Sequence, residues 1–571
     1  MGIAHFFQWF KTNFGNNIQE LGKGCDVTSL DVSIDNFLID LNGVFHASTQ
    51  KIYKYGNNAP RNKSLLTKNR SPRGLKAQLM VFEDVCSTIV ELVKVAKPTK
   101  RLILCTDGVA PVAKQCQQRQ RRFRAAKDQG NTVLFNSNCI TPGTKFMDYL
   151  SKYIDWFIRK QINSDDDWQK LEVIFSNEKS PSEGEHKAAQ YIRKYGSDSE
   201  SYCFQGMDAD LIMLALATHK NNFYILREDI YNHSNEYFCI NIGKCRNDLV
   251  EKLRWENPSL SFEPEKAIND FVFICFMVGN DFLPHLPCIS IIDGGIEVLV
   301  ELYVAVGTSY GHLTSYVNNK IIFNKQSLKV YLENLGMFEQ DIFEYKLSKK
   351  ESWFPEKLLT ECSSLEDKNF VVDIETYKTK YMKDKFPHNS DEEICHQYLE
   401  GLQWVLSYYT RDVPSWEWSY KHYYAPPASI LSKYLDSYNF VKYKETKPFD
   451  PLLQLLCVLP PKSSDLLPDE IKPILTDKNS VFKKYCPDNF YIDLEGKSRE
   501  WQGIVILPII ELDVIKSIYA KEIKNLNEVD LRRNRYGKTF KYKYDKTINK
   551  LFKSYYGDIE NLHVDMNMFI I

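Results

Sequence analysis

Between residues 36 and 282, five apolar segments each end in a carboxylate or meet one within a few residues. NFLID closes on Asp40 and RLILCTD on Asp107. LEVIFS leads through NEKSP to SEGEH, with Glu183 and Glu185, and YCFQG leads to MDAD, with Asp208 and Asp210. FMVGNDF supplies Asp281. The segments alternate with helical periodicity around 76–96, from Val112, around 145–161 and from about 184, and FYIL adds a further apolar run. This order predicts an α/β fold, a mostly parallel central sheet flanked by helices on both faces. Such sheets collect ligands at the carboxyl ends of their strands, so seven acids are expected on one edge.

A single acid after a strand usually caps a helix or sits solvated in a loop, and Glu183 and Glu185 would suit a helix N-terminus. Five segments in series are harder to dismiss. Carboxylates crowded together repel unless cations neutralise them, and an all-oxygen set without His or Cys suits Mg²⁺, with Mn²⁺ able to substitute. Two such ions about 4 Å apart serve in-line attack on a phosphodiester, one activating water and one stabilising the leaving oxygen. The expected chemistry is metal-dependent phosphodiester hydrolysis.

Seven residues beyond Asp107 begins KQCQQRQRRFRAAK (114–127), six basic residues with no acid before Asp128, in a chain of 571 residues whose formal net charge is −1. The totals give no reason to expect an anionic partner, so this local segregation carries the signal. On a helix from Val112, Lys114, Gln118, Arg121 and Arg122 share one face. A solvated basic surface is the ordinary meaning of such a run. Its start beside Asp107, and a face combining lysine, amide and two guanidinium groups, favour a grip on one terminal phosphate.

At 43% hydrophobic, the chain can bury a large core and is expected to form two or more domains. Its fourteen cysteines include no CxxC pair, which argues for reduced thiols in an intracellular protein rather than a zinc site. FVFICFMVG (271–279) is too short to span a bilayer, the N-terminus lacks signal-peptide order, and Met1-Gly2 is followed by Phe6 where a myristoylation signal needs Ser or Thr. Three regions are expected: 1–340 holding the acids, a charged connecting segment 341–395, and an aromatic-rich, mainly helical region 396–571 packed against the first. No Gly/Ser-rich linker separates them.

In order along the chain, MGIAHFFQWF, IDLNGVFH, DGVAPVAKQCQQRQRRFR, SNCITPGTKFM, SEGEHK, GMDADLIML and FMVGNDFLPHLP resemble the first conserved region of the Xrn/Rat-type 5′→3′ exoribonucleases. EGLQWVLSYYTRDVPSWEWSYKHYYAP, VLPP and EWQGIVILPII resemble the second. The resemblance implies a PIN/flap-nuclease-like catalytic domain whose metal-binding acids fall on Asp40, Asp107, Glu183, Glu185, Asp208, Asp210 and Asp281, with Asp270 a weaker eighth. It implies that Lys114, Gln118, Arg121 and Arg122 hold the 5′-monophosphate of RNA, and that His46 stacks on a base with either Trp416 or Trp418 closing the stack.

The departures are Ala4 for the usual proline, Ser182 for the usual glycine, a shortened segment after RRFRAAK, and an end near 571 without the long extension of large cytoplasmic members. The implied activity is processive, Mg²⁺-dependent 5′→3′ hydrolysis of single-stranded RNA bearing a 5′-monophosphate, releasing nucleoside 5′-monophosphates in RNA decay. A monomer is expected, cytoplasmic with the nucleus left open, without a membrane and with decay-factor partners unspecified. Two alternatives share features. A flap-type DNA endonuclease would share the acids but needs a duplex-binding element, and an inactive RNA-binding scaffold would be expected to have lost some of the seven acids.

Overall fold

The computed structural model describes residues 5–58, 74–128, 135–228, 237–349 and 354–571. Met1, Gly2, Ala4, most of the short segment after RRFRAAK and part of the 341–395 segment lie outside the described residues. A nine-stranded sheet runs through the molecule. Its chain-order strands are β1 (Ile18–Leu21), β2 (Asn36–Asp40), β3 (Arg101–Cys105), β4 (Glu172–Ser176), β5 (Tyr202–Gln205), β6 (Phe223–Glu228) and β7 (Tyr237–Asn241), followed by Thr539–Tyr544 and Val564–Phe569. The spatial order is β1-β7-β6-β5-β2-β3-β4, then those last two strands. The five inner strands from β6 to β4 are parallel, and every other pairing is antiparallel.

The parallel strands read as nearly continuous apolar runs because both faces are covered. Leu38, Ile103, Ile174 and Phe204 point into one core, Phe37, Ile39, Leu102, Leu104, Val173 and Phe175 into the other. The helices are α1 (Phe6–Phe14), α2 (Leu41–Tyr53), α3 (Gly74–Ala96), α4 (Val112–Asp128), α5 (Lys145–Ser164), the short α6 (Asp166–Gln169), α7 (Gly184–Tyr195) and α8 (Leu211–Leu216). Helices α2, α3 and α5 cover the second face, while α1, α7 and α8 share the first with helices of the later sequence. Phe6, Phe10 and Phe14 recur at four-residue spacing, which puts all three on the buried side of α1.

The later sequence closes over the carboxyl edge. Helix Asp391–Thr410 buries Trp404, Tyr408 and Tyr409 in the core that receives α7 and α8. A third core joins Val109, Val112 and Phe123, around α4, to helix Pro451–Val458 and residues up to Leu526. The C-terminal stretch differs from the expected mainly helical region in sending two strands back to the sheet, Thr539–Tyr544 pairing with β4. Its alternation of Phe540, Tyr542 and Tyr544 with Lys541 and Lys543 is a period-two strand pattern, with Tyr542 buried. Between the helices of this half, Thr314–Val317 and Lys320–Phe323 form an antiparallel hairpin. Among the described residues no helix is long and apolar enough to cross a membrane.

Candidate functional site

Each acid reaches the sheet's carboxyl edge by a local route. Asp40 ends β2 and caps α2, its carboxylate accepting from the Asn42 amide at 3.3 Å. Asn42 clamps Asp107 twice: its Nδ2 donates to Asp107 Oδ2 at 2.8 Å, and its Oδ1 accepts from the Asp107 backbone N–H at 3.0 Å. Asp107 Oδ1 in turn accepts from the Gly184 N–H at 2.7 Å. A Cβ on Gly184 would lie 2.8 Å from Asp40 Oδ1, so only glycine lets α7 begin this close to both aspartates. The loops after β3 and β4 are zipped together, Ser182 N–H to Val109 O at 2.8 Å and Gly108 N–H to Ser182 O at 2.8 Å. Ser182, buried with φ 90°, adopts the left-handed backbone that explains why glycine is the usual residue there.

The same zip places Glu183 and Glu185, at the start of α7, beside Asp208 and Asp210, at the start of α8. Oxygens of Glu185, Asp208 and Asp210 lie within 4.8 Å of one another. Burial, then the charges of Asp210 and Glu183, push the Glu185 carboxyl well up; burial, then Asp107 and Asp208, do the same to Asp40. Asp210 is raised to about 7 by burial, Asp281 and Asp208, and its Oδ1 is buried without a hydrogen-bond partner among the described residues. Carboxylates held this way are costly as bare anions and fit a divalent cation with hard oxygen ligands.

Lys114 places a cation among them. Its Nζ lies 2.5 Å from Glu183 Oε2 and 2.6 Å from Asp281 Oδ2. Burial opposes the charge, yet Asp281 and Glu183 raise the ammonium pKa well above its usual value. Burial likewise works against the Asp281 carboxylate, and Lys114 overcomes it to hold that pKa low. Lys114 thus faces the acids, while Gln118, Arg121 and Arg122 continue along the same helix face. Arg121 is exposed, and Gln118 Oε1 and Arg122 Nη1 are buried with no partner among the described residues. Burial and then Arg121 lower the Arg122 pKa to about 10, with Asp107 acting the other way. His46, on α2, feels both guanidinium groups: desolvation, then Arg121 and Arg122, bring its pKa down to about 4.

The two tryptophans differ. Trp418, half-buried, stacks on buried Trp404 with centroids 5.0 Å apart and packs against the core. Trp416 is tied down by its backbone, its carbonyl accepting from Val112 N–H at 2.9 Å and its N–H donating to Thr446 Oγ1 at 2.8 Å. Those bonds fix Trp416 at the first residue of α4. Asp270 stands apart from the seven acids: Tyr303, His312 and Thr314 occupy its oxygens at 2.6–2.8 Å, a buried structural network.

Four supporting residues escaped the sequence reading. Asn42 is the clamp described above, and Gln117 Nε2 donates to Asp281 Oδ1 at 3.0 Å. Tyr408 donates to Glu183 Oε1 at 2.7 Å. Lys187 is buried and donates to Thr106 O at 2.7 Å and Asn177 O at 2.8 Å, pinning the chain just past β3 and β4; burial lowers its pKa to about 8. Lys187 and Asn42 sit inside SEGEHK and IDLNGVFH, so the signal was their place in an acid-bearing segment.

Comparison with known proteins shows the family. The family profile described as "XRN 5′-3′ exonuclease N-terminus" matches residues 1–229, and that described as "Xrn1 helical domain" matches 261–373 and 371–568. The chain is 27% identical to 5′-3′ exoribonuclease 1 of Saccharomyces cerevisiae, over 99% of this chain and 46% of the relative. It is 29% identical to the 5′-3′ exoribonuclease 2 homolog of Drosophila melanogaster, over 95% of this chain and 73% of that protein. It spans about half the length of the exoribonuclease 1 proteins of S. cerevisiae and Schizosaccharomyces pombe. Among solved structures, the catalytic core of Rad2 in complex with DNA aligns over 76% of this chain and 94% of its own at 13% identity with TM-score 0.33, a superposition too loose to support an inference. The profiles together cover both halves of the sequence, and the chain belongs to the Xrn 5′→3′ exonuclease family.

Proposed function

We propose that this chain is a processive 5′→3′ exoribonuclease that hydrolyses single-stranded RNA with a 5′-monophosphate to nucleoside 5′-monophosphates. The observation that carries the reading is the continuity of α4 with the acid cluster. Lys114 touches Glu183 and Asp281, and Gln118, the exposed Arg121 and Arg122 continue its face, with Gln118 Oε1 and Arg122 Nη1 buried without a partner among the described residues. A terminal phosphate held there would lie one short helix away from the carboxylates, the reach of a single nucleotide.

Asp40, Asp107, Glu183, Glu185, Asp208, Asp210 and Asp281 would hold Mg²⁺, the proposed reading being two ions. Bound there, it would supply a hydroxide nucleophile at neutral pH and offset charge on the leaving oxygen. The protein's own groups do the rest. Arg121 and Arg122 would pair with the terminal phosphate and Gln118 would donate its amide N–H. A cap or triphosphate would exceed the space, and a 5′-hydroxyl would leave the guanidinium groups without their partner. His46, kept neutral by burial and then by the neighbouring arginines, and Trp416 are the proposed base-stacking pair. Stacking contributes roughly 1–3 kcal/mol per base without demanding a sequence.

Cleavage after the first nucleotide leaves the shortened strand with a new 5′-phosphate, the same group the pocket receives, which favours repeated turnover on one strand. The test is digestion of a 3′-labelled RNA with and without Mg²⁺, with products resolved by size. Release of mononucleotides from the 5′ end, with the label passing from full length to a terminal fragment without intermediates accumulating, is the expected result. Internal cuts in branched DNA would favour the flap-endonuclease reading instead, and RNA binding without hydrolysis would favour a scaffold.

A further inference from the structure

The later sequence reaches the acid cluster through a phenol. Tyr408 is buried on helix Asp391–Thr410, and its hydroxyl donates to Glu183 Oε1 at 2.7 Å, while Lys114 takes Oε2. Glu183 precedes the first turn of α7 but makes no side-chain capping bond, so its own helix does not orient its carboxylate. The Tyr408 ring is held as firmly as its hydroxyl. His186 stacks on it at 3.8 Å and 26°, and Trp404 at 4.9 Å and 25°. Trp404 carries Trp418 at 5.0 Å and 21°, and its Nε1 donates to Ser415 O at 3.0 Å. The four-ring column runs from α7 to the loop that bears Trp416.

We propose that Tyr408 is a positioning residue for the metal-binding carboxylates, fixing the orientation of Glu183 from the second half of the chain and tying it through Trp404 and Trp418 to the Trp416 loop. This rests on the reading of the acids as a metal site. Its hydroxyl holds an acid of the cluster whose other oxygen is held by Lys114, so the carboxylate is fixed from both sides. The first half alone would accordingly bind cation poorly.

Tyr408→Phe keeps the ring column and removes only the donor. Mn²⁺ binding to the full chain, followed by electron paramagnetic resonance, is expected to weaken roughly 10–100-fold, the usual effect of losing a group that orients a metal ligand. With RNA, kcat should fall in step while KM and the preference for a 5′-monophosphate stay put, and higher Mn²⁺ should restore part of the rate. In Glu183→Gln the further change to Phe at 408 should add little, because the two groups act as one unit. Mn²⁺ affinity and kcat of Tyr408→Phe within about twofold of the parent, or additive effects in the double variant, would overturn the positioning role alone. Absence of Mn²⁺ binding by the parent, or unaltered binding in Asp208→Ala, would overturn the reading of the acids beneath it.

Discussion

The acid edge and the basic helix are neighbours in space but are held in opposite ways. Asp40 and Asp107 follow directly from parallel strands, and their supports, Asn42 and Gly184, lie at the starts of the adjoining helices. Helix α4 owes its placement to chain more than 300 residues away. Arg119 donates to the carbonyls of Pro508 and Tyr485, Arg124 to those of Glu500 and Gly503, and Ala110 N–H to Gln454 Oε1 at 2.7 Å. The difference teaches that a basic run need not have one purpose. Within a single helix, one face turns arginines towards the acids and the other uses arginines as bolts.

The sharpest way to break the comparison is at the acids. Asp208→Ala is expected to lower kcat roughly 10³-fold while RNA binding stays largely intact, since the basic face is untouched. Single-turnover rates and a filter-binding curve on the same preparation check both halves. Gly184→Ala should come next, a loss of about 10–100-fold, because a methyl 2.8 Å from Asp40 Oδ1 forces the aspartate or α7 to move. Activity retained in that variant would mean the close approach has no catalytic consequence.

Two arginines two residues apart then sharpen the contrast within α4. Arg119→Ala leaves buried carbonyls unpaired and should cost about 2–3 kcal/mol of stability, read by urea unfolding. Arg121→Ala, at an exposed position, should change stability by no more than about 0.5 kcal/mol yet reduce the preference for 5′-monophosphate over 5′-hydroxyl RNA about tenfold. Matching stability losses would erase the distinction between the two faces.

The smallest expected effect is in pH. Burial, then the charges of Asp281 and Asp208, push the Asp210 carboxyl up to about 7, from an ordinary value of 3.8. In the metal-free protein the folded state therefore binds more protons than the unfolded state between those values, and stability falls as pH rises through that window. Mg²⁺ should accordingly raise Tm more at pH 8 than at pH 5.5, a shift of a few degrees readable by differential scanning fluorimetry. An equal Mg²⁺ effect at both pH values would contradict the cluster's assigned protonation.

Much of the fold was legible because two signals coincided. Apolar runs without alternation marked strands covered on both faces, and acids at their ends marked the edge where topology gathers side chains. Helix α4 was legible in extent, Val112–Asp128, and in the face it presents. Lys114 shows the limit of that reading. Its helical position grouped it with the phosphate face, but whether an ammonium at that position turns to a phosphate or to Glu183 and Asp281 depends on loops more than 60 residues further along the chain. The role of Tyr408 was hidden for a related reason: in a stretch as aromatic as 402–427, a tyrosine that orients an acid reads the same as one that fills the core. The choice between Trp416 and Trp418 was equally beyond the SWEW motif, because it rests on which ring Trp404 had already claimed. The strands Thr539–Tyr544 and Val564–Phe569 went unread although the first alternates plainly, since attention to the helical, aromatic-rich character of the region masked a local period of two.

The central claim is that α4 measures a terminal phosphate against the acids, and one ratio tests it most directly. Initial rates are measured for the same single-stranded RNA carrying a 5′-monophosphate or a 5′-hydroxyl, in the parent and in Arg121→Ala/Arg122→Ala, at saturating Mg²⁺. A strong preference for the monophosphate in the parent that collapses towards unity in the double variant is the predicted result. A ratio near one in the parent, or one unchanged by losing both arginines, would contradict the account.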